Sequence, residues 1–494
     1  MEHSPERELK LAATADFHMP SIYGLVGPVV RQAPPERNET TYYDTTDLRL
    51  ARWGASLRHR PGEGWTVKLP AERDAPFLVR PEIVFDGNGD SPPVEAVELV
   101  RGFVRGEQVQ PSVHMTTIRR RTQMHDAEGR LIAGVVDDAV SVPNGTRPAA
   151  AFRELEVEIG EEMTPDLLDA LVERLRQAGA GSPDQTAKYI RALAPATPLT
   201  PEIAVADLGP DANAGDVVGR AIALSVIRLI RHDSVVRLDV DPEGVHQARV
   251  ATRRLRSDLR TFGPLVDEDW ASALRAELGW LAQILGDVRD GDVLLARLRK
   301  RAAELPEAAA SAAPVLDTLQ TSRDVAHAAL LDALRSDRYA SLLDRLVDAA
   351  NAPVVTSAAA EPAVEAIPAL VRRPWHRLSK RAKDLGDAPT DHQLHDLRIR
   401  TKRARYAAEA AAPVVGKQAR AFAHAAAKLQ DVLGDLNDAV VAAAWLSGWA
   451  ARDDDAARAA EQLAAAERST ADALRGHWGA AWDELADPRL RAWM

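Results

Sequence analysis

Residues 153–160 read RELEVEIG, and this short stretch decides the fold of the first part of the chain. Glu154, Glu156 and Glu158 alternate strictly with apolar residues, which is the period of a β-strand with two different faces. Three carboxylates on one face repel one another unless cations lie nearby. Taken alone, the stretch is therefore typical of a solvated edge strand, and the interpretation changes only if other strands supply the cations.

Other stretches in the first 200 residues repeat the alternation. Residues 6–13 read ERELKLAA, which places Glu6, Glu8 and Lys10 on one face of a strand. Candidate cations on further strands or beside them are Arg58, Arg60, Lys68, Arg80, Arg119, Arg120, Arg121 and Lys188. A sheet closed into a barrel would bring both signs of charge into one lumen. Carboxylates suit Mg²⁺ and bases suit phosphate oxygens, so the pattern predicts a metal–polyphosphate site; the alternative is a barrel with a charge-rich outer face.

The bulk composition excludes several classes of protein. With 494 residues, the chain is long enough for two or three domains. It has no cysteine, which excludes disulfides and thiolate metal sites, and its net charge of −11 argues against a general nucleic-acid binder. We find neither a signal peptide nor an apolar run of about 20 residues that could span a bilayer. We therefore expect a cytoplasmic protein without a membrane partner.

Composition changes near residue 200. Before it, period-two stretches are separated by glycine and proline turns; after a proline-rich segment the chain is rich in alanine and helical in its periodicity. The helical part repeats itself: VHQARVATRRLRSDLR from Val245 corresponds to LHDLRIRTKRARYAAE from Leu394. We predict an α+β protein with a β domain at 1–197, a linker at 198–214 and an all-α duplicated bundle at 215–494, with repeats at about 215–350 and 366–494.

Cations in the helical part recur at the spacing of a single helix face. The first stripe is His246, Arg249, Arg253, Arg256 and Arg260; the second is His395, Arg398, Lys402 and Arg405, where Glu409 takes the last place. Arg254 and Arg403 flank the stripes, and Arg377, Lys380 and Arg381 extend them. A single charge run is usually a solvated face, but two matched stripes predict a surface for long anionic polymers.

A second repeated block follows each stripe, LGDVRD at 285–290 and LGDLND at 433–438. We expect Gly286 and Gly434 to end or bend helices. Asp287 and Asp435 would then cap new helices or orient the basic side chains.

The first 195 or so residues resemble the CYTH family of triphosphate tunnel metalloenzymes. The matching motifs are the E-x-E-x-K strand at Glu6, YYDTTDLRL, LRHR, WTVKLP, RPE, GVVDD, ELEVEI and TAKY, in family order. The resemblance implies an antiparallel tunnel of about eight strands that hydrolyses or cyclises triphosphates with Mg²⁺ or Mn²⁺. Carried over by position, metal would be held by Glu6, Glu8, Asp137, Glu154, Glu156 and Glu158. Substrate would be held by Lys10, Arg58, Arg60, Lys68, Arg80, Glu82, Arg120 and Lys188. Catalysis would fall to Glu6, Glu8, Lys10, Glu154 and Glu156.

Residues 215–494 resemble the CHAD domain, a duplicated helical module that is often fused to CYTH. The paired blocks that begin at His246 and His395 carry this resemblance, which implies binding of inorganic polyphosphate by basic helical surfaces. The leading hypothesis is a hydrolase for inorganic triphosphate or short polyphosphate with an attached polyphosphate-binding unit. Two alternatives stay open: a tunnel that acts on ATP or thiamine triphosphate, and a non-catalytic polyphosphate scaffold. The expected location is cytoplasmic, with polyphosphate granules as a place of association.

Overall fold

The computed structural model describes residues 6–14, 16–25, 30–70, 72–74, 77–87, 89, 91–143, 150–184, 186–193, 199–309, 311–386, 388–449 and 455–494. Of residues 6–7, 72–74, 77–80, 150 and 307, only the backbone is described. The chain forms two compact units, Met1–Glu202 and Ile203–Met494.

The first unit contains one antiparallel sheet with a few short helices, as the α+β prediction requires. Its strands are β1 (Glu6–Ala13), β2 (Val30–Gln32), β3 (Glu36–Asp44), β4 (Ser56–Arg60), β5 (Gly64–Lys68), β6 (Glu72–Asp74), β7 (Phe77–Arg80), β8 (Glu82–Phe85), β9 (Gln110–His125), β10 (Leu131–Val142), β11 (Ala150–Ile159) and β12 (Ala180–Pro183). The helices are α1 (Arg49–Trp53), α2 (Val94–Leu99), α3 (Arg101–Val104), α4 (Pro165–Gln177) and α5 (Lys188–Leu193). The described residues form twelve strands where about eight are expected, and five of the twelve, β2, β6, β7, β8 and β12, are only three or four residues long.

The sheet curls because the chain joins its two ends. Its strand order is β6-β7-β1-β11-β10-β9-β3-β4-β5-β8, so β7 lies near one end and β8 at the other. Only Pro81 separates these two strands in sequence, and its carbonyl also accepts a hydrogen bond from the Leu69 amide at 3.0 Å. Two residues span at most about 7 Å, so the ends of the sheet must meet. The result is a tunnel whose inner face collects every second residue.

Helix α4 covers the outer face of β1, β10 and β11. Thr164 caps the helix by accepting a hydrogen bond from the Leu167 amide at 3.3 Å, and Pro165 takes the first helical position. Leu171 and Leu175 of this helix pack on the buried Leu155 and on other outward-facing apolar residues of the sheet. Because this apolar packing holds the outer face, the alternate residues of the same strands point into the tunnel.

The second unit is entirely helical, as predicted. Its helices are α6 (Ala214–Leu238), α7 (Pro242–Thr261), α8 (Glu268–Glu304), α9 (Pro306–Ala309), α10 (Ala313–Arg335), α11 (Asp337–Asn351), α12 (Ala363–Lys383), α13 (Asp391–Val415), α14 (Lys417–Ser447), α15 (Asp455–Arg475) and α16 (Trp478–Leu485). Short 3₁₀ turns occur at Gly263–Leu265, Ser357–Ala360 and Pro488–Arg491. None of the described helices combines the length and apolarity that crossing a bilayer requires.

The repeat is visible in helix starts and packing. Asp241 caps α7 and Thr390 caps α13, at positions 149 residues apart, and the two helices pack against each other. The expectation for the glycines is wrong, because Gly286 and Gly434 lie inside the uninterrupted helices α8 and α14. Arg249 and Arg398 lie over these glycines instead: a Cβ at Gly286 would be 3.8 Å from the Arg249 guanidinium, and one at Gly434 would be 3.7 Å from that of Arg398. The repeated glycines therefore leave room for the repeated arginines.

Candidate functional site

The tunnel of the first unit contains a cavity of about 310 Å³ with walls that are mostly charged. Its charged side chains come from β1, β4, β5, β8, β9, β11, α5 and the turn after β4. They are Glu8, Lys10, Arg58, Arg60, Glu63, Lys68, Glu82, Arg119, Arg121, Glu156, Glu158 and Lys188. Tyr42 and Tyr189 also line the cavity; their rings stack on one another at 5.0 Å and belong to an apolar cluster that includes Met115. Carboxylates and cations thus share one enclosed space.

Strand register brings three buried carboxylates together beside this cavity. Asp138 of β10 lies opposite Glu154 of β11, and Glu156 follows two residues later on the same face. One oxygen from each carboxylate lies within 4.8 Å of the others. This carboxylate group, Asp138, Glu154 and Glu156, would carry three negative charges in a space almost closed to water.

Lysines and an arginine face the carboxylate group. Lys10 donates to Glu156 at 2.9 Å, Lys188 lies 3.1 Å from Glu154 and also contacts Asp138, and Arg119 donates to both oxygens of Asp138 at 2.9 and 2.7 Å. Burial alone would raise the pKa of Glu156, but Lys188 and Lys10 hold it well below its usual range. Conversely, burial opposes the charge on Lys10, but Glu156 and Glu8 raise the pKa of that ammonium. Both partners therefore stay ionised.

Glu154 is less well satisfied than its neighbours. Its buried oxygens lie 3.1 Å from Lys188 and 3.7 Å from Arg191 without a well-aligned hydrogen bond among the described residues, and burial raises its pKa despite the nearby Lys188. In addition, Glu8 of β1 lies directly opposite Glu158 of β11, a like-charge cross-strand pair that favours a cation between the strands. All these donors are carboxylate oxygens, which are the ligands of hard divalent cations such as Mg²⁺ and Mn²⁺. The residues present therefore fit a divalent metal.

The other wall of the cavity is basic. Glu82 accepts hydrogen bonds from Arg58 at 3.0 Å and lies 2.7 Å from Lys68, and these two cations hold its pKa low against the effect of burial. Arg60 is paired with the half-exposed Glu63 at 2.6 Å, yet burial and the charge of Arg58 lower the pKa of its guanidinium. Cations crowded closely enough to repel one another form a ready site for phosphate oxygens.

Two predicted site residues point away from the cavity. Arg120 is exposed on the far face of β9, whereas Arg119 and Arg121 line the cavity. Asp137 is buried on the outer face of β10, where Arg153 donates two hydrogen bonds to it at 2.7 Å. In both cases the neighbouring residue takes the inner position, because side chains alternate along a strand.

Two further predictions fall where side chains are not described: those of Glu6 and Arg80 lie outside the described part of the structure. Sequence reasoning also missed Asp138, and it named Arg119 and Arg121 only as part of an unphased run. The face of β9 that carries Arg119 and Arg121 can be identified from its neighbours, because Val113, Met115 and Thr117 are buried on the same face as Arg119.

In the second unit, four cations of the two stripes converge where α7 meets α13. This central cation group consists of Arg249, Arg253, Arg398 and Lys402. Arg249 pairs with the exposed Asp290 at 2.7 Å, whereas the other three form no ion pair with any described carboxylate. Burial, together with the charges of Arg398, Arg253 and Arg249, lowers the pKa of Lys402 to about 7.

Further cations crowd together beyond this group. Burial and the charges of Arg403 and Arg275 lower the pKa of Arg260, and burial with Arg400 and Arg377 lowers that of Arg403. We call Arg256, Arg260, Arg275, Arg377 and Arg403 the basic flank. Among the described residues, none of these five is ion-paired to a carboxylate. Such repulsion costs folding energy that a bound anion would offset.

The remaining predicted cations and histidines have partners or lie apart. Arg254 and Arg405 each donate to Glu409 at 2.7 Å, and Arg381 pairs with Asp396 at 2.9 Å. His395 contacts Asn437 at 2.6 Å, and Lys380 lines a shallow cavity with His376 and Lys383. The pKa of His246 is lowered by burial and by the charge of Arg289.

Comparisons with known proteins match two parts of the chain to two families. A model of the CYTH domain matches residues 4–190, and a model of the CHAD domain matches residues 220–447. Two uncharacterized proteins of Mycobacterium tuberculosis, from strains CDC 1551 / Oshkosh and ATCC 25618 / H37Rv, are each 33% identical over 469 residues. The alignment covers 88% of this chain and 87% of each relative.

Solved structures that resemble part of the chain include PptA from Streptomyces chartreusis, with 26% identity and a TM-score of 0.47 over 55% of this chain and 100% of that one. The CHAD domain from the plant Ricinus communis has 26% identity and a TM-score of 0.48 over 58% of this chain and 96% of that one.

Proposed function

Because this chain belongs to the CYTH and CHAD families, we propose that its tunnel hydrolyses inorganic triphosphate or short polyphosphate and that its helical unit binds polyphosphate chains. CYTH domains are metal-dependent tunnel enzymes that act on triphosphates, so the proposal concerns the particular substrate and reaction. The observation that carries it is the cavity of about 310 Å³, where carboxylates that fit a divalent metal face cations that fit phosphates.

The aromatic residues of the cavity favour an inorganic substrate. A tunnel that reads a nucleotide needs a flat apolar slot for the base. Tyr42 and Tyr189 are the aromatic side chains that line the cavity among the described residues, and they stack on each other with an interplanar angle of 11°. The stack covers one face of each ring, and both side chains are buried in the apolar cluster, so neither offers an open face to a base. This supports inorganic triphosphate over ATP or thiamine triphosphate.

The residues divide the work by charge. Arg58, Arg60 and Lys68 would hold phosphate oxygens, with the substrate replacing Glu82 as the partner of two of them. Asp138, Glu154 and Glu156, with Glu8 and Glu158, would hold the metal. When bound, Mg²⁺ or Mn²⁺ would supply neutralisation of the charge that develops on the transferred phosphoryl group.

Proton transfer from the attacking water would fall to Glu154, through the carboxylate oxygen that does not hold the metal, rather than to Glu156. Lys188 and Lys10 hold the pKa of Glu156 well below its usual range, which makes it a weak base. Burial raises the pKa of Glu154, which makes that carboxylate the stronger proton acceptor. Glu156 would instead keep Lys10 and Lys188 aligned with the substrate.

The test is phosphate release by the purified full chain. Substrates are inorganic triphosphate, long-chain polyphosphate, ATP and thiamine triphosphate, each with Mg²⁺, with Mn²⁺ and with EDTA. We expect metal-dependent release from triphosphate that Glu156→Gln abolishes and that Glu128→Gln, at a side chain 68% exposed, leaves intact. Cyclic AMP formation from ATP would favour the cyclase alternative. No turnover of any substrate, with polyphosphate still bound, would leave a scaffold protein.

The proposal for the second unit rests on its unpaired cations. Arg253, Arg398 and Lys402 of the central cation group lie beside one another without a described carboxylate partner, as does the basic flank. A net charge of −11 for the chain disfavours nucleic acid in general but not a flexible inorganic polyanion. Polyphosphate binding would also bring the protein to polyphosphate granules in the cytoplasm, the location that we propose. Competition of long-chain polyphosphate against duplex DNA for the full chain tests the preference.

A further inference from the structure

The two halves of the basic surface are related by the repeat but differ in charge. Arg254 of α7 corresponds to Arg403 of α13, and Arg260 corresponds to Glu409, each pair being 149 residues apart. The contact between α7 and α13 therefore occurs twice in equivalent form. In one copy Arg254 meets Glu409, and in the other Arg403 meets Arg260.

In the copy that contains Glu409, one carboxylate pairs with two arginines and offsets half of their charge. Glu409 accepts one hydrogen bond from Arg254 and another from Arg405, both at 2.7 Å, with one carboxylate oxygen for each arginine. The Arg254 guanidinium also lies over the Tyr406 ring, 6.0 Å from its centroid. Both arginines are thus paired within the protein, and this side keeps less free positive charge than the equivalent side.

The equivalent copy is uncompensated. Arg260 and Arg403 are exposed and face each other, with Arg256, Arg275 and Arg377 close by. No ion pair joins these five side chains to a carboxylate in the ranges of the chain that the structure covers. Like charges gathered at the protein surface without acids create a positive potential that recruits an anion.

We infer that Glu409 ends the anion-binding surface, so that polyphosphate lies on the central cation group and the basic flank and does not extend over Arg254 and Arg405. This inference rests on the proposed polyphosphate binding and adds to it a direction. A bound chain leaves the central group on one side only, although the repeat provides two equivalent sides. Glu409 is therefore a specificity-determining residue that limits the length of chain in contact with the protein.

Two matched variants test the asymmetry, because Arg403→Ala and Arg254→Ala truncate equivalent positions of the repeat. The readout is the Kd of the full chain for long-chain polyphosphate at fixed ionic strength, with folding checked by circular dichroism. Losing a charge-assisted contact should weaken binding roughly tenfold for Arg403→Ala. Arg254→Ala should change Kd less than about twofold, since its charge is already paired.

A gain-of-binding variant keeps the test decisive if Arg403→Ala fails to fold. Glu409→Gln releases Arg254 and Arg405, so we expect tighter binding and a steeper dependence of Kd on salt. Equal losses in the two alanine variants, or unchanged binding by Glu409→Gln, would overturn the one-sided surface while leaving polyphosphate binding in place. A wild-type chain that does not bind polyphosphate would overturn both the surface and the function proposed for this unit.

Discussion

Lys402 should make polyphosphate binding depend on pH near neutrality. Its ammonium lies in the central cation group, where burial and three arginines lower its pKa to about 7 against the opposing charge of Asp438. Without ligand, Lys402 is mostly charged at pH 6 and mostly neutral at pH 8. Phosphate oxygens would favour the charged form and raise this pKa again, so that binding takes up a proton at neutral pH.

The size of the effect follows from the two pKa values. If bound phosphate restores the pKa of Lys402 to the ordinary value of a lysine, the proton uptake on binding approaches one above pH 7 and vanishes well below it. Integrated from pH 6 to pH 8, this linkage weakens the affinity roughly tenfold. The sign is fixed: a base whose pKa is lower in the free protein than in the complex binds its ligand less tightly as pH rises.

The measurement is Kd for long-chain polyphosphate at pH 6, 7 and 8 and constant ionic strength, with wild type, Lys402→Arg and Lys402→Met. All three proteins share the same histidines and the same ligand with its terminal phosphates, so the differences between their pH profiles isolate Lys402. The arginine variant should bind tightly and the methionine variant weakly, both with a flatter pH profile. The same slope in wild type and Lys402→Arg would refute the reasoning.

Three further predictions concern the tunnel and the buried acid of α7. Asp138→Asn should lower triphosphate turnover roughly 10–100-fold, whereas Asp137→Asn, whose carboxylate faces away from the cavity, should reduce thermal stability but not the activity of the folded protein. Arg119→Ala should lower kcat roughly a hundredfold and Arg120→Ala should not; comparable losses in steady-state assays would mean that the β9 register is wrong. Asp258 is fully buried, both of its oxygens lack hydrogen bonds among the described residues, and burial raises its pKa to about 7. Because the pKa of Asp258 is higher in the folded state than in the unfolded chain, the free energy of unfolding falls as pH rises from about 4 to 7. Urea unfolding should therefore show the stability of Asp258→Asn rising by about 2 kcal/mol relative to wild type between pH 5.5 and 8. A difference between the two proteins that does not change with pH would contradict this.

Alternation predicted the acidic faces well because their neighbours differ sharply. Glu154 and Glu156 are separated by Leu155, so the inner and outer faces of β11 can be read directly. Where two or three identical residues follow one another, alternation does not show which of them faces inward, so for Asp137 and Asp138 only the family resemblance is left, and it places Asp137 in the tunnel rather than Asp138. Strand β10 is also buried on both faces, so its apolar residues form a continuous run that carries no register information.

The helical surface was predictable in position but not in charge. Helical spacing placed the stripes on α7 and α13, and the repeat identified Glu409 as an exception. The partners that neutralise predicted cations come from other places: Asp290 from α8 pairs with Arg249, and Asp396, outside the stripe, pairs with Arg381. Spacing along one helix cannot reveal such pairs, because they depend on how helices pack.

The pairing of the first strand with the penultimate one also governs when the site can form. Glu8 on β1 finds its partner strand only at Glu158, so the ribosome must add about 150 residues before the metal-binding face is complete. At typical translation speeds of 5–20 residues per second, the edge of β1 that pairs with β11 stays unpaired for roughly 8–30 s, whereas β7, the neighbour on the other edge, is synthesised earlier. Closure of the tunnel is thus a late, long-range event of high contact order, and the candidate site of a nascent chain cannot form before the β domain is almost fully synthesised.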